Sequence, residues 1–140
     1  MKRSTFTMIL VVTTLTLACG CSAKPAVIDS GENSVALRSI QTRAFDTTDK
    51  EKTLRTIIAT LQDLGFVVDK ADATLGSVSA TKLSGYELRM TVTVRPRGET
   101  QLLVRASAQY QEKAIEDPLP YQNFFTALEK SMFLAAQQVE

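Results

Sequence analysis

Two stretches of this chain alternate apolar and polar residues almost without a break: YELRMTVTV, Tyr86 to Val94, and TQLLVRASAQY, Thr100 to Tyr110. Successive strand side chains point to opposite faces, so a sustained period of two marks a strand buried on one side only. Two such runs separated by Pro96-Arg97-Gly98-Glu99 form an antiparallel hairpin. Pairing them so that residue numbers sum to 196 sets Tyr86, Leu88, Met90, Val92 and Val94 beside Tyr110, Ala108, Ala106, Val104 and Leu102, all toward the core. The opposite face carries Glu87, Arg89, Thr91, Thr93 and Arg95 beside Gln109, Ser107, Arg105, Leu103 and Gln101. A sheet with one greasy and one polar face needs cover on a single side, which is how helices pack in α+β domains.

That cover is legible in two places. Leu54, Ile57, Ile58, Leu61 and Leu64 recur at the spacing of one helical face, Thr48-Asp49-Lys50-Glu51 offers a capping box ahead of them, and Gly65 suits the C-terminal cap. Tyr121 to Gln138 reads as a second helix with Pro120 in its first turn. Its apolar face is Tyr121, Phe124, Phe125, Leu128, Met132 and Ala135, and Phe133 and Leu134 widen it toward a partner-facing patch. Val35 to Phe45 tolerates a strand, and Phe66 to Lys82 reads as two short strands joined at Lys70 to Leu75. The order β-α-β-β-β-β-α predicts an α+β domain from residue 34 to 140: an antiparallel sheet of about five strands with two helices on one face.

The N-terminus carries the other strong signal. MKRSTFTMILVVTTLTLA begins with Lys2 and Arg3 and continues as an uncharged apolar run ending in small residues, the layout of a secretory signal. The run from Ser4 to Ala18 is 15 residues, short of the roughly 20 a membrane-spanning helix needs. Both cysteines follow in LTLACGCSAK, and the stretch resembles the lipobox of bacterial lipoproteins. In that family the cysteine receives a diacylglycerol thioether, is cut on its N-terminal side and is often acylated on its new amine. The resemblance implies a signal peptide over residues 1–20 and lipidation at Cys21, after Gly20, with Cys19 as the alternative register. It also implies a lipid-anchored protein of the bacterial cell envelope. Neither Gly20 nor Ser22, the residues after the two cysteines, is the aspartate that resembles an inner-membrane retention signal, so the periplasmic face of the outer membrane is the implied location. Residues 21–33 have the composition of an anchor and tether, and Ser22 to Asn33 spans about 40 Å when extended.

The order of elements is similar to TATA-binding-protein-like and helix-grip domains. GFVVDKADATLGSVSATK, Gly65 to Lys82, resembles a pattern in small envelope lipoproteins, including the repeated domains of the β-barrel assembly lipoprotein BamC. The likeness rests on hydrophobic pattern around Gly65-Phe66 and Leu75-Gly76 and carries no functional residues.

Composition excludes more chemistry than it supplies. Histidine is absent, which removes the usual metal ligand, the usual general base at neutral pH and every Ser-His or Cys-His pair. The Cys-x-Cys spacing in an apolar N-terminal run is not a thioredoxin-like pair, and a zinc site lacks further Cys or His ligands. Catalysis would have to use carboxylates; Asp63, Asp69 and Asp72 are the nearest cluster, and Asp69 and Asp72 flank a turn that explains them. Removing Lys2 and Arg3 from the 16 basic residues leaves 14 against 15 acidic ones, net −1, so there is no nucleic-acid signature. The expected function is therefore non-enzymatic, without cofactor or metal: protein–protein binding by an accessory of an envelope assembly or transport complex. The candidate binding face is Arg89, Arg95, Arg105, Phe133 and Leu134. The alternative is an apolar or lipid ligand between the sheet and the C-terminal helix, lined by Tyr86, Tyr110, Phe124 and Met132.

Overall fold

The computed structural model describes residues 31–83 and 87–137; the side chains of 31–33 and 134–137 fall outside that description. The elements are α1 (Gly31–Ile40), β1 (Thr42–Phe45), α2 (Lys50–Asp63), β2 (Val67–Asp72), β3 (Ser77–Lys82), β4 (Leu88–Arg97), β5 (Gln101–Tyr110), β6 (Lys113–Ala114) and α3 (Leu119–Gln137). The fold is α+β. An open antiparallel sheet in the order β1-β5-β4-β3-β2 has the two-residue β6 beside β1 on the edge of β5. Leu88, Met90, Val92 and Val94 of β4 and Leu102, Val104, Ala106 and Ala108 of β5 face the core together with Leu54, Ile57 and Leu61 of α2 and Tyr121, Phe124, Phe125 and Leu128 of α3. Both long helices thus cover one face of the sheet, as the alternation requires.

Several details differ from the sequence reading. The β2–β3 turn is residues 73–76 rather than Lys70 to Leu75, because Lys70, Ala71 and Asp72 still pair with Ser79, Val78 and Ser77. Residues 31–40 are helical rather than tether and strand. Leu37 and Ile40, three apart, pack half-buried against the core while Val35 is left exposed, so the stretch has a helical period with only its last residues in a strand. Helix α2 starts one residue later than a Thr48 capping box implies. Asp49 is the N-cap, its Oδ1 accepting from Lys52 N at 2.9 Å, and its own amide donates to Thr47 Oγ1. The β4–β5 register sums to 198, so Leu88 rather than Tyr86 lies opposite Tyr110, and the loop is Gly98-Glu99-Thr100, with Gly98 at φ +63°. A shift of two preserves parity, so every described residue keeps its assigned face. Pro96 does not end β4. Val94 N donates to Gly76 O on the β3 side, so the N–H that proline lacks would point past the end of β3.

Helix α2 also buries Thr53, Thr56 and Thr60, which a simple apolar stripe omits. Each hydroxyl donates to the carbonyl four residues back (Asp49, Lys52 and Thr56), so the burial leaves no unpaired donor. At the sheet's far edge β2 carries a register break between Val68 and Lys70.

Two glycines sit at positive φ for different reasons. Gly65 (+81°) follows α2, and a Cβ there would meet nothing closer than Lys82 Cε at 3.7 Å. Gly76 (+69°) closes the β2–β3 turn, where Lys50 Nζ of α2 donates to Thr74 O, and a Cβ would lie 2.6 Å from Val94 O. Gly65→Ala should therefore cost only the left-handed backbone penalty, about 1–2 kcal/mol. Gly76→Ala should add an overpacking cost of about 1–3 kcal/mol, because the Lys50 side chain can swing away but the other obstructing atom, Val94 O, is backbone. Urea unfolding of the two variants side by side measures the difference.

The edge of β5 away from β4 is shared among three partners. Residues 102–105 pair with β1, Ala106 N donates to Gln41 O, and β6 takes Gln109 and Tyr110. Beyond β6 the Ile115 amide donates to Ala108 O at 2.9 Å, but the return bond is not made: Ala108 N donates instead to Tyr121 Oη at 3.2 Å. That hydroxyl also accepts from Gln41 Nε2 at 3.2 Å and donates to Ile115 O at 2.6 Å, which uses its full capacity. Tyr121→Phe strands at least the Ala108 amide and the Ile115 carbonyl in a buried site. A loss of about 2–4 kcal/mol is expected, read as a lower urea midpoint at unchanged m-value.

Candidate functional site

The residues singled out from the sequence do not converge. Arg89, Arg95 and Arg105 lie on the polar sheet face, and their register neighbours Thr81, Leu103 and Thr93 share it. Phe133 is 65% exposed, but it projects from α3, on the opposite side of the sheet. The side chain of Leu134, Tyr86, and both Cys19 and Cys21 lie outside the described residues. Phe124 is fully buried and Met132 packs against the core, so the interior between sheet and helix is filled rather than hollow. Tyr110, 41% exposed, stands at the end of the sheet. The three aspartates do not form a cluster for chemistry: Asp69 accepts from Thr81 Oγ1 at 2.6 Å, Asp72 accepts from Leu75 N at 2.8 Å in the turn, and Asp63 is exposed at the end of α2. Among the described residues no group of three or more acidic or cysteine side chains is placed to hold a metal.

The polar sheet face is a ladder of short hydroxyl side chains with arginines spaced along it. Ser79, Thr91, Thr93 and Ser107 are half-buried by their neighbours alone, and Ser79 and Thr91 hydroxyls lie 3.3 Å apart. Arg89 is paired with Glu87 at 3.3 Å, and Arg105 Nη2 donates to Gln41 Oε1 at 3.3 Å. Arg95 and Arg97 are exposed and make no hydrogen bond or ion pair with any described residue. Arg97 was not singled out from the sequence because the assigned turn began at Pro96; the observed register extends β4 through it and puts it on the same face as Arg95.

A second feature, missed from the sequence, is a cleft of about 340 Å³ at the end of the sheet. Its floor is Phe66, Leu88 and Met90; the N-terminal turn of α3 contributes Leu119, Pro120 and Asn123, and Asp117 stands just before that turn. The end of α2 supplies Leu64. Lys82 completes it from a β3 position that Val78 and Ala80 make core-facing by period. The Lys82 ammonium donates to Leu64 O at 2.8 Å, an orphan carbonyl of the α2 C-terminus, and lies 5.7 Å from the centre of the Phe66 ring. The signal available in the sequence was this cation at an apolar beat of a strand.

No family model matches the chain, and no curated protein matches it significantly. Among the described residues no helix is long and apolar enough to cross a membrane.

Lys82→Met keeps the apolar stem but removes the carbonyl bond, the ring contact and a positive charge at a helix C-terminus. It should lower stability by about 1–2 kcal/mol while the fold persists, measurable by thermal melts with the far-ultraviolet spectrum as control.

Proposed function

We propose that this chain is a lipid-anchored lipoprotein of the bacterial envelope, held by acylated Cys21 on the periplasmic face of the outer membrane, whose domain works by docking an acidic surface of another envelope protein. The observation that carries the docking reading is the bare, arginine-bearing sheet face. Both long helices pack on the other side, and the Arg95 and Arg97 side chains stand exposed, without partners among the described residues, two residues apart on one strand. A guanidinium is the side chain best suited to carboxylate recognition, because its rigid fork matches two acceptor oxygens. The half-buried hydroxyl ladder beside them is flat and polar, which fits a reversible protein contact better than a permanent hydrophobic one. The anchor reading rests on LTLACGCSAK and the apolar run before it, and several acyl chains at about 0.8 kcal/mol per buried CH₂ make such attachment effectively permanent.

Photo-crosslinking in intact cells tests the docking. A benzophenone side chain at Thr93 should yield a discrete protein adduct that disappears in Arg95→Glu/Arg97→Glu, whereas the same probe at Phe133 should yield none. An adduct from Phe133 alone, or one indifferent to charge reversal at Arg95 and Arg97, overturns the assignment of the face. Mass spectrometry of the mature N-terminus tests the anchor: acylated Cys21 is expected, and an unmodified N-terminus or acylated Cys19 refutes that register.

A further inference from the structure

We propose that the cleft at the end of the sheet binds a single-chain anionic amphiphile, a carboxylate on a short alkyl tail, with Lys82 receiving the head. This site is on the covered side of the sheet and stands independently of the docking face. Its volume of about 340 Å³ falls at the low end of the range for small-molecule sites, about 300–1,000 Å³. That suits one short chain. The floor offers carbon and sulfur only: Phe66 and Leu88 are each 7% exposed and Met90 1%. A tail laid on them is removed from water without displacing a polar group.

The charge of the head follows from what Lys82 has left to give. An ammonium carries three donors, and Leu64 O takes one of them at 2.8 Å. Lys82 is half-buried at a core-facing strand position with an aromatic ring beside it, so its remaining donors are in a setting where a charge-assisted bond is stronger than in open water. Among the described residues that line the cleft the one acidic side chain is Asp117, exposed at the rim, and its Oδ1 already accepts from Leu119 N at 2.9 Å at the start of α3. The helix N-terminus offsets that carboxylate. An anionic head at Lys82 is therefore attracted from within the cleft and repelled from its rim, while a cationic head seated on the same floor would face the Lys82 ammonium directly.

The probes are octanoate, octanol and octylamine, titrated into the purified full chain with the Met90 methyl resonance as reporter. Octanoate should shift Met90 saturably, with Leu88 and Leu119 responding and the polar sheet face silent. Octanol should bind weaker by about tenfold, the ratio that one charge-assisted hydrogen bond supports, and octylamine weaker still. In Lys82→Met the octanoate and octanol affinities should converge. Asp117→Asn retains an acceptor for the Leu119 amide while removing the rim charge, and should tighten octanoate several-fold. Should Lys82→Met fail to fold, Asp117→Asn and the three probes decide on their own. The proposal falls if octanoate gives no saturable shift at Met90, if octanol or octylamine binds as tightly, or if Asp117→Asn weakens octanoate.

Discussion

The hydroxyl of Tyr121 ties together parts of the chain that no regular ladder connects. The edge of β5 is long, β1 and β6 are short, and the stretch between them would leave the Ala108 amide unpaired in the core. Tyr121 closes that gap from the helix above. In doing so it holds Gln41, the residue between α1 and β1, and Ile115, the residue between β6 and α3. Gln41 passes the connection on, because its backbone amide ends α1 at Leu37 O, its carbonyl takes Ala106 N, and its side-chain oxygen takes Arg105 from the other side of the sheet. A buried polar network of this kind is stabilising only when complete, and among the described residues no buried side-chain polar atom is left unsatisfied.

This arrangement separates the two faces of the sheet by chemistry as well as by direction. On the helical side apolar packing is dense through the middle and opens toward the margins, among them the end where α2 stops and α3 begins. Lys82 marks that transition, with its stem in the core and its ammonium on the last turn of α2. On the other side the strands present hydroxyls and guanidiniums, and among the described residues no element packs over them. Gln41, at the margin, reaches from one regime to the other, bonding Tyr121 on the helical side and Arg105 on the bare side. Arg43 works in the same border zone, its guanidinium 5.5 Å from the centre of the Phe125 ring, shielding the aromatic edge of α3 where β1 leaves it short of cover.

Much of this is legible in the sequence itself. The alternation of residues 86–94 and 100–110 established which side chains of β4 and β5 are interior, and a register misjudged by two left that assignment intact because faces depend on parity alone. The buried face of α3 and the positive φ of Gly65 were equally legible, since a helical stripe and a helix stop are local signals. What escaped was set by non-local partners. Residues 31–40 carry too few apolar residues to show a period until Leu37 and Ile40 have a core to meet. Thr53, Thr56 and Thr60 look like solvent positions, yet a threonine can be buried cheaply when its hydroxyl turns back on its own helix. The two residues of β6 have no period at all. The cleft was invisible for a related reason: Lys82 looks like the polar end of a strand until the α2 C-terminus is placed beside it. The arginine face was half legible, its direction following from parity and its extent, through Arg97, only from the observed turn.

An open sheet has two edges, and each can recruit a copy of itself. Here β1 offers only four residues, and β2 is broken in register between Val68 and Lys70 with a lysine at the break. Neither edge presents the long, flat row of amides that strand-by-strand polymerisation requires. Irregular borders of this kind disfavour edge-to-edge pairing of sheets, so the break in β2 has a consequence for how copies of the domain meet as well as for its local twist.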